Sequence, residues 1–258
     1  MLTLLSYILN TIFYLAILIF IVGSIYVVGK WIFIPKGKTG TYFGFHNLFD
    51  YPGQTTRMKA FENILGRMFL FTSAKRDPYI RWLSLSFHWS LWIIILAHLD
   101  LVTSSYFVSI GIPESLLSDL GAYLGTTLAF VMVISGLLLV ARRIKDPYLR
   151  RLSTVGDYFA ILLVVAIGIS GIYMRFVLPP LFAYQSVSPW IFSLASLTPL
   201  NFPYELPFIA HILLVSTLLI YFPFSKFLHP YSFFTNPNLH AVYEKVPVDS
   251  SISGSGVK

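Results

Sequence analysis

The chain has 258 residues, of which 56% are hydrophobic, 17% aromatic and only 11% charged. This composition excludes a soluble globular domain and indicates an integral membrane protein with a single domain. The net charge is +7, but the basic residues lie between apolar runs, so the charge does not indicate a nucleic-acid partner. The absence of cysteine excludes disulfides, Cys-ligated zinc and Cys-ligated iron–sulfur clusters.

Five apolar runs are each long enough to cross about 30 Å of hydrocarbon as an α-helix. The predicted spans are Leu4–Val28, Trp82–Thr103, Leu120–Ala141, Tyr158–Leu178 and Leu206–Leu228. The sequence therefore predicts an all-α integral membrane protein whose core is a bundle of five transmembrane helices.

The basic residues are distributed very unevenly between the two sides of this bundle. Seventeen of the 18 Lys and Arg residues lie in segments that emerge on one side, and Arg175 alone lies on the other. The positive-inside rule then predicts an N-terminus outside, a C-terminus in the cytoplasm, and a multi-pass protein of the cell (cytoplasmic) membrane.

The membrane domain is predicted to cover residues 1–235, and residues 236–258 form a cytoplasmic tail with a flexible end. A cytoplasmic connection at about 30–81 is too long for a tight turn, and its stretch FENILGRMFLF predicts a short amphipathic helix. The stretches KRDPYIRWLS and IKDPYLRRLS form a weak internal repeat, in which Asp-Pro is expected to start a short helix each time.

Four of the six histidines fall in or at the end of predicted spans, and they occupy only the second and fifth spans. Ionisable residues at bilayer depth are costly and indicate function. The four are His88 and His98 on the second span, and His211 and His229 on the fifth.

Depth in the membrane tests which of these histidines can face each other. At 1.5 Å per residue, His98 and His211 lie ~25 Å and ~24 Å from the inner face, so they are level. His88 lies ~10 Å from that face, whereas His229 falls at or just past the boundary, and this inner pair misses by ~13 Å. His211 and His229 are also separated by five whole turns, so both face one direction if the helix is straight.

Two facing imidazole pairs stacked across a membrane suit two six-coordinate haems with bis-His ligation, which transfer electrons and leave no open iron site. Arg175 is a candidate partner for a carboxylate such as a haem propionate. Two alternatives stay open: a transporter or proton channel that uses the histidines as a relay, and an assembly anchor that has lost haem.

The histidine-bearing stretches FHWSLWIIILAHL and HILLVSTLLIYFPFSKFLH, with GDYFAILLVVAIGISGIYMRF between them, resemble a known superfamily. They are similar to the cytochrome b subunit of respiratory nitrate reductase (its gamma subunit). They are closer to the DsrM subunit of the sulfite-reduction-associated complex, to the membrane subunit of heterodisulfide reductase and to the cytochrome b partner of some nickel–iron hydrogenases.

The resemblance implies two haem b groups, an outer one on His98 and His211 and an inner one on His88 and His229. It implies electron transfer between the quinone pool, menaquinone or ubiquinone, and a cytoplasmic iron–sulfur, heterodisulfide-reductase-like subunit of a respiratory oxidoreductase complex with further subunits. A cytochrome b subunit of a membrane-bound hydrogenase or nitrate reductase is the alternative within the superfamily.

Overall fold

The structure, a computed structural model, describes residues 3–32 and 57–230. The described segments contain nine α-helices and no strand. In chain order these are α1 Leu4–Ile32, α2 Arg57–Leu70, α3 Pro78–Ala97, α4 Asp100–Ser109, α5 Glu114–Lys145, α6 Pro147–Leu152, α7 Val155–Val177, α8 Ser188–Ala195 and α9 Leu206–Tyr221.

Five of these helices are long and apolar enough to cross a membrane, which confirms the predicted all-helical five-span architecture. The spans are Leu4–Lys30, Pro78–Ala97, Glu114–Lys145, Val155–Val177 and Leu206–Phe224. The third span is longer at both ends than predicted. Glu114 lies in its first turn and three basic residues lie in its last turn. Both interact favourably with the helix dipole and so stabilise the helix beyond the apolar run.

The first long connection is shorter than predicted, because α1 continues to Ile32 and α3 already begins at Pro78. Part of it, residues 33–56, lies outside the described residues, as does the predicted tail at 236–258. The expected amphipathic helix is α2, which docks on α3. The Trp89 indole donates to the Phe69 carbonyl at 2.9 Å, and Arg81 Nε donates to the Leu70 carbonyl at 3.0 Å.

The two Asp-Pro sequences of the repeat both start helices, as predicted, but with different outcomes. The Asp77 side chain caps α3 by accepting from the Ile80 amide at 3.1 Å, and that helix continues into the span. The Asp146 side chain caps α6, which ends after six residues. The first copy is therefore the start of a membrane helix and not a separate short helix.

The spanning helices form a row in the order α3, α5, α7, α9 and α1, since α5 packs against α3 and α7, and α9 packs against α7 and α1. Glycines make the central contacts close. A Cβ on Gly136 would come within 2.8 Å of Val165, and a Cβ on Gly168 within 2.5 Å of Met132. α3 and α9 are not a closely packed pair among the described residues, yet His88 on α3 and His229 in the segment after α9 bring their rings close together.

The connection between α7 and α9 folds over one end of α1 and α9. Trp190 and Phe202 are almost fully buried there, together with Leu9 and Phe208. The Trp190 indole donates to the Asn10 side-chain oxygen at 2.9 Å. This end lies away from the basic connection between α5 and α7, and it fixes α1 against the last span.

Candidate functional site: two histidine pairs between α3 and α9

The first pair consists of His88 on α3 and His229 just beyond α9. Their ring centroids are 5.9 Å apart with an angle of 85° between the ring planes. Imidazole–metal bonds of about 2 Å on each side of one metal ion, together with the ring radius, place two ring centroids roughly 6 Å apart. The separation of this pair therefore fits two imidazoles that would bind one metal ion.

Their proximity corrects the predicted mismatch of ~13 Å between these two side chains. The error came from treating the fifth span as a straight helix of five turns. The α-helix ends at Tyr221, Pro223 lies in a short 3₁₀ turn, and Ser225 is extended with φ −125° and ψ 176°. A second 3₁₀ turn leads to His229, so the chain turns away from the helix axis before this histidine.

Aromatic rings surround His88. Phe87 and Trp92 lie 5.3 Å and 6.3 Å from it, and Phe71 lies 4.9 Å from it between centroids. Phe71 follows α2 and has a left-handed backbone, φ 49° and ψ 44°. This conformation costs a non-glycine residue roughly 1–2 kcal/mol. The strained position thus holds an aromatic ring against the imidazole, and sequence reasoning did not identify it.

The second pair consists of His98 at the end of α3 and His211 on α9. His98 is the C-cap residue of α3 and is exposed, whereas His211 is buried with only 8% of its surface accessible. The two lie within electrostatic range of each other. Gly171 on α7 lies against His211, and a Cβ there would be 3.6 Å from the ring.

All four imidazoles have a hydrogen-bond partner for Nδ1. The Nδ1 atoms of three of them lie 2.7–2.8 Å from backbone carbonyls, which only accept, so Nδ1 must donate. These donor–acceptor pairs are His88 with Ser84, His98 with Ile94, and His229 with Lys226. In these three rings Nε2 therefore carries the lone pair.

His211 reaches the same tautomer by a different contact. Its Nδ1 lies 2.8 Å from the Ser170 hydroxyl on α7, and that hydroxyl donates its only proton to the Ile167 carbonyl at 2.8 Å. Ser170 must therefore accept from His211. A donated Nδ1–H and an Nε2 lone pair are what a metal-ligating histidine needs. Ser170 lies in an apolar helix and carries no signal that sequence reasoning could have used.

Arg175 lies near the end of α7, at the opposite end of the bundle from the basic connections. Its guanidinium donates to the Ser118 carbonyl at 2.6 Å and to the Pro180 carbonyl at 3.5 Å. It therefore links the first turn of α5 to the end of α7. Its predicted contact with a haem propionate stays a prediction.

A polar contact lies close to the second pair. The Tyr184 hydroxyl donates to the Asp100 carboxylate, two residues after His98. Burial, and then this hydrogen bond to a negative charge, raise the pKa of Tyr184 above its ordinary value. Tyr184 therefore stays protonated and keeps donating to Asp100 across the physiological pH range.

Comparison with known proteins assigns the chain to a class. A family model described as nitrate reductase gamma subunit matches residues 72–243, a range that includes α3 to α9 and all four histidines of the site. The chain belongs to this family and is a multi-pass membrane protein.

One relative is similar over most of its length. The chain is 31% identical over 261 residues to the Hdr-like menaquinol oxidoreductase cytochrome b-like subunit of Archaeoglobus fulgidus. The match covers 87% of this chain and 76% of that protein. The resemblance inferred from the histidine-bearing stretches is thereby confirmed.

Proposed function

We propose that the chain is a dihaem cytochrome b subunit that transfers electrons between menaquinol and a cytoplasmic iron–sulfur subunit. The observation that carries this proposal is the 5.9 Å approach of the His88 and His229 ring centroids, together with Nδ1 hydrogen bonds that require the same tautomer in all four histidines. In this proposal His88 and His229 hold one haem, and His98 and His211 hold the other.

The donor set fits haem better than a metal ion bound by protein alone. Structural and catalytic zinc sites use at least three protein ligands. Within residues 3–32 and 57–230, no three His, Cys, Asp or Glu side chains converge as a metal-binding group. Two imidazoles are sufficient for a haem, because the macrocycle supplies the other four nitrogens and the protein only the axial ligands.

A bound haem supplies one-electron transfer, and this chain's residues hold and tune it. The Nδ1 hydrogen bonds fix each ring's orientation and make Nε2 a stronger donor. Phe71, Phe87 and Trp92 keep the surroundings of His88 apolar, which limits access of water. With two histidines as its protein ligands, such a haem would pass electrons and would offer no binding position for oxygen or substrate.

The partners follow from the name of the Archaeoglobus protein and from the charge distribution. That protein is named as a menaquinol oxidoreductase subunit and as Hdr-like. By analogy, menaquinol is the electron donor, and a heterodisulfide-reductase-like iron–sulfur subunit docks on the basic side. With the N-terminus outside, this side is cytoplasmic. A hydrogenase or nitrate reductase partner would use the same membrane subunit and is the alternative.

A histidine relay for protons fits the observed contacts less well. A relay takes up a proton on one ring nitrogen and releases it from the other. In three of the four histidines Nδ1–H is bound to a backbone carbonyl, which cannot take the proton on. The hydrogen bonds therefore favour metal ligation over a transport role.

Purified full-length protein tests the proposal. A reduced-minus-oxidised absorption spectrum and a pyridine haemochrome assay are expected to show about two b-type haems per chain. Addition of a reduced menaquinone analogue is expected to reduce them. Protein that is folded and contains no haem contradicts the proposal, and haem that quinol does not reduce contradicts the menaquinol assignment alone.

A further inference from the structure

The segment that follows α9 carries His229 but lacks the regular helix that positions the other three histidines. It consists of two 3₁₀ turns, 222–224 and 226–228, separated by the extended Ser225. Short 3₁₀ turns have poorer hydrogen-bond geometry than an α-helix. Contacts from other helices must therefore set the position of His229 relative to His88.

One such contact reaches the segment from the start of α7. The Asp157 side chain is buried, and its Oδ1 accepts from Lys226 Nζ at 2.7 Å. Its Oδ2 accepts from the Thr154 amide at 2.8 Å and from the Thr154 hydroxyl at 3.0 Å. Both carboxylate oxygens therefore accept hydrogen bonds, and the contacts with Thr154 orient the carboxylate towards Lys226.

Lys226 connects this carboxylate to the histidine. Its side chain pairs with Asp157, and its backbone carbonyl accepts from His229 Nδ1 at 2.8 Å. A single residue is thus held by α7 through its ammonium group and orients the imidazole through its main chain. Any shift of Lys226 would move both the position and the rotation of the His229 ring.

We propose that Asp157 and Lys226 are positioning residues that hold His229 opposite His88 and so determine the properties of one of the two haems. This inference rests on the proposed function, since it concerns a haem ligand. The Asp157 side chain is 6% exposed and the Lys226 side chain 74% exposed, so the lysine comes from solvent to a fixed, buried carboxylate. The role is geometric and not a large contribution to stability.

Packing contacts also hold the segment that follows α9. A Cβ on Gly23 of α1 would lie 2.8 Å from Pro223, and Phe222 stacks on Phe227 at 5.6 Å between centroids. The Gly23 contact holds the first turn, and the ring stacking connects that turn across the extended Ser225 to Phe227 in the second turn. The ion pair adds a polar connection from the second turn to α7.

The test measures haem content, the two midpoint potentials and the electron paramagnetic resonance signals of the purified full-length protein. Lys226→Gln breaks the ion pair and leaves the α7 cap intact. We expect one haem to show an altered signal and about tenfold weaker retention, because a change next to a metal ligand lowers affinity ~10–100-fold. The other haem and the temperature of unfolding should stay unchanged.

Three variants separate positioning from general structural effects. Lys226→Arg keeps the positive charge and should restore the wild-type signal. Thr154→Ala removes the hydroxyl contact with Asp157 and keeps both the amide contact and the lysine, so it should change the same haem less than Lys226→Gln does. Arg142→Gln breaks the exposed pair with Asp77 on the same side of the bundle and should leave both haems as in the wild type.

The outcomes distinguish this proposal from the proposed function. If wild-type protein holds two haems and Lys226→Gln keeps both with unchanged potentials and signals, the positioning role is wrong and the dihaem assignment stands. If Arg142→Gln reproduces the effect of Lys226→Gln, loss of a cation on this side of the bundle is responsible and the positioning role of the Asp157–Lys226 pair is wrong. A folded wild-type chain without haem would overturn both proposals.

Discussion

Replacement of Ser170 by alanine gives a sharp test of the site, because it removes one hydroxyl and leaves all four histidines in place. The hydroxyl accepts the Nδ1 proton of His211 at 2.8 Å, and this imidazole is only 8% exposed. Ser170→Ala therefore leaves a buried N–H without its acceptor and releases the rotation of the ring.

The magnitude follows from the cost of that unsatisfied donor. Leaving a buried donor unpaired costs about 1–3 kcal/mol. Since 1.4 kcal/mol corresponds to a factor of ten, retention of this haem should weaken roughly 5- to 150-fold. The midpoint potential of the same haem should rise, because an imidazole without its Nδ1 partner is a weaker donor to ferric iron.

Two measurements check this prediction: the rate of haem transfer to an excess of apomyoglobin, and a redox titration that resolves the two haems. Ser135→Ala is the matched control, since Ser135 is buried on α5 and its hydroxyl, like that of Ser170, donates to a carbonyl of its own helix, that of Val131 at 2.6 Å. Equal effects of the two variants, or equal changes in both haems, would refute the reasoning.

Three further predictions concern other positions. His88→Ala and His98→Ala should each leave about one haem per chain, and the remaining haems should differ in midpoint potential; identical remaining haems would argue against two separate pairs. Gly168→Val should destabilise the protein by about 1–3 kcal/mol through overpacking, because an added Cβ would lie 2.5 Å from an α5 side chain. The measurement is a lower unfolding temperature. Gly125→Val is the control and should be neutral, since a Cβ there has nothing within 4 Å. Pro223→Ala restores an amide donor and favours continuation of α9, so it should weaken retention of the haem held by His229 and not of the other haem. Haem transfer measures this, and equal weakening of both haems would contradict it.

The five spans could be predicted from sequence because each is a long apolar run and no other element in the described chain competes with that signal. The proximity of His98 and His211 could also be predicted, since both lie on regular helix or at its end, where 1.5 Å per residue applies. The apolar pattern and the residue spacing are sufficient to predict where a side chain lies wherever the chain is a regular helix.

The approach of His229 to His88 could not be derived in this way. Pro223 signals a break, but the direction that the chain takes after it depends on contacts with α7 and α1. Asp157 and Lys226 are far apart in sequence, and each has an ordinary role at a helix end on its own. Ser170 has the same difficulty, because its partner depends on how α7 is rotated against α9.

The packing of α1 against α9 has a consequence for biogenesis. Among the described spans α1 is synthesised before the other four, yet its main packing partner is α9, and the Asn10–Trp190 and Tyr14–Leu194 hydrogen bonds also join it to α8. The contacts of α1 with α9 can therefore form only after α3, α5 and α7 have been synthesised. Contacts that join distant parts of a chain form slowly, so the arrival of α9 completes the bundle and brings the second member of each histidine pair at the same step.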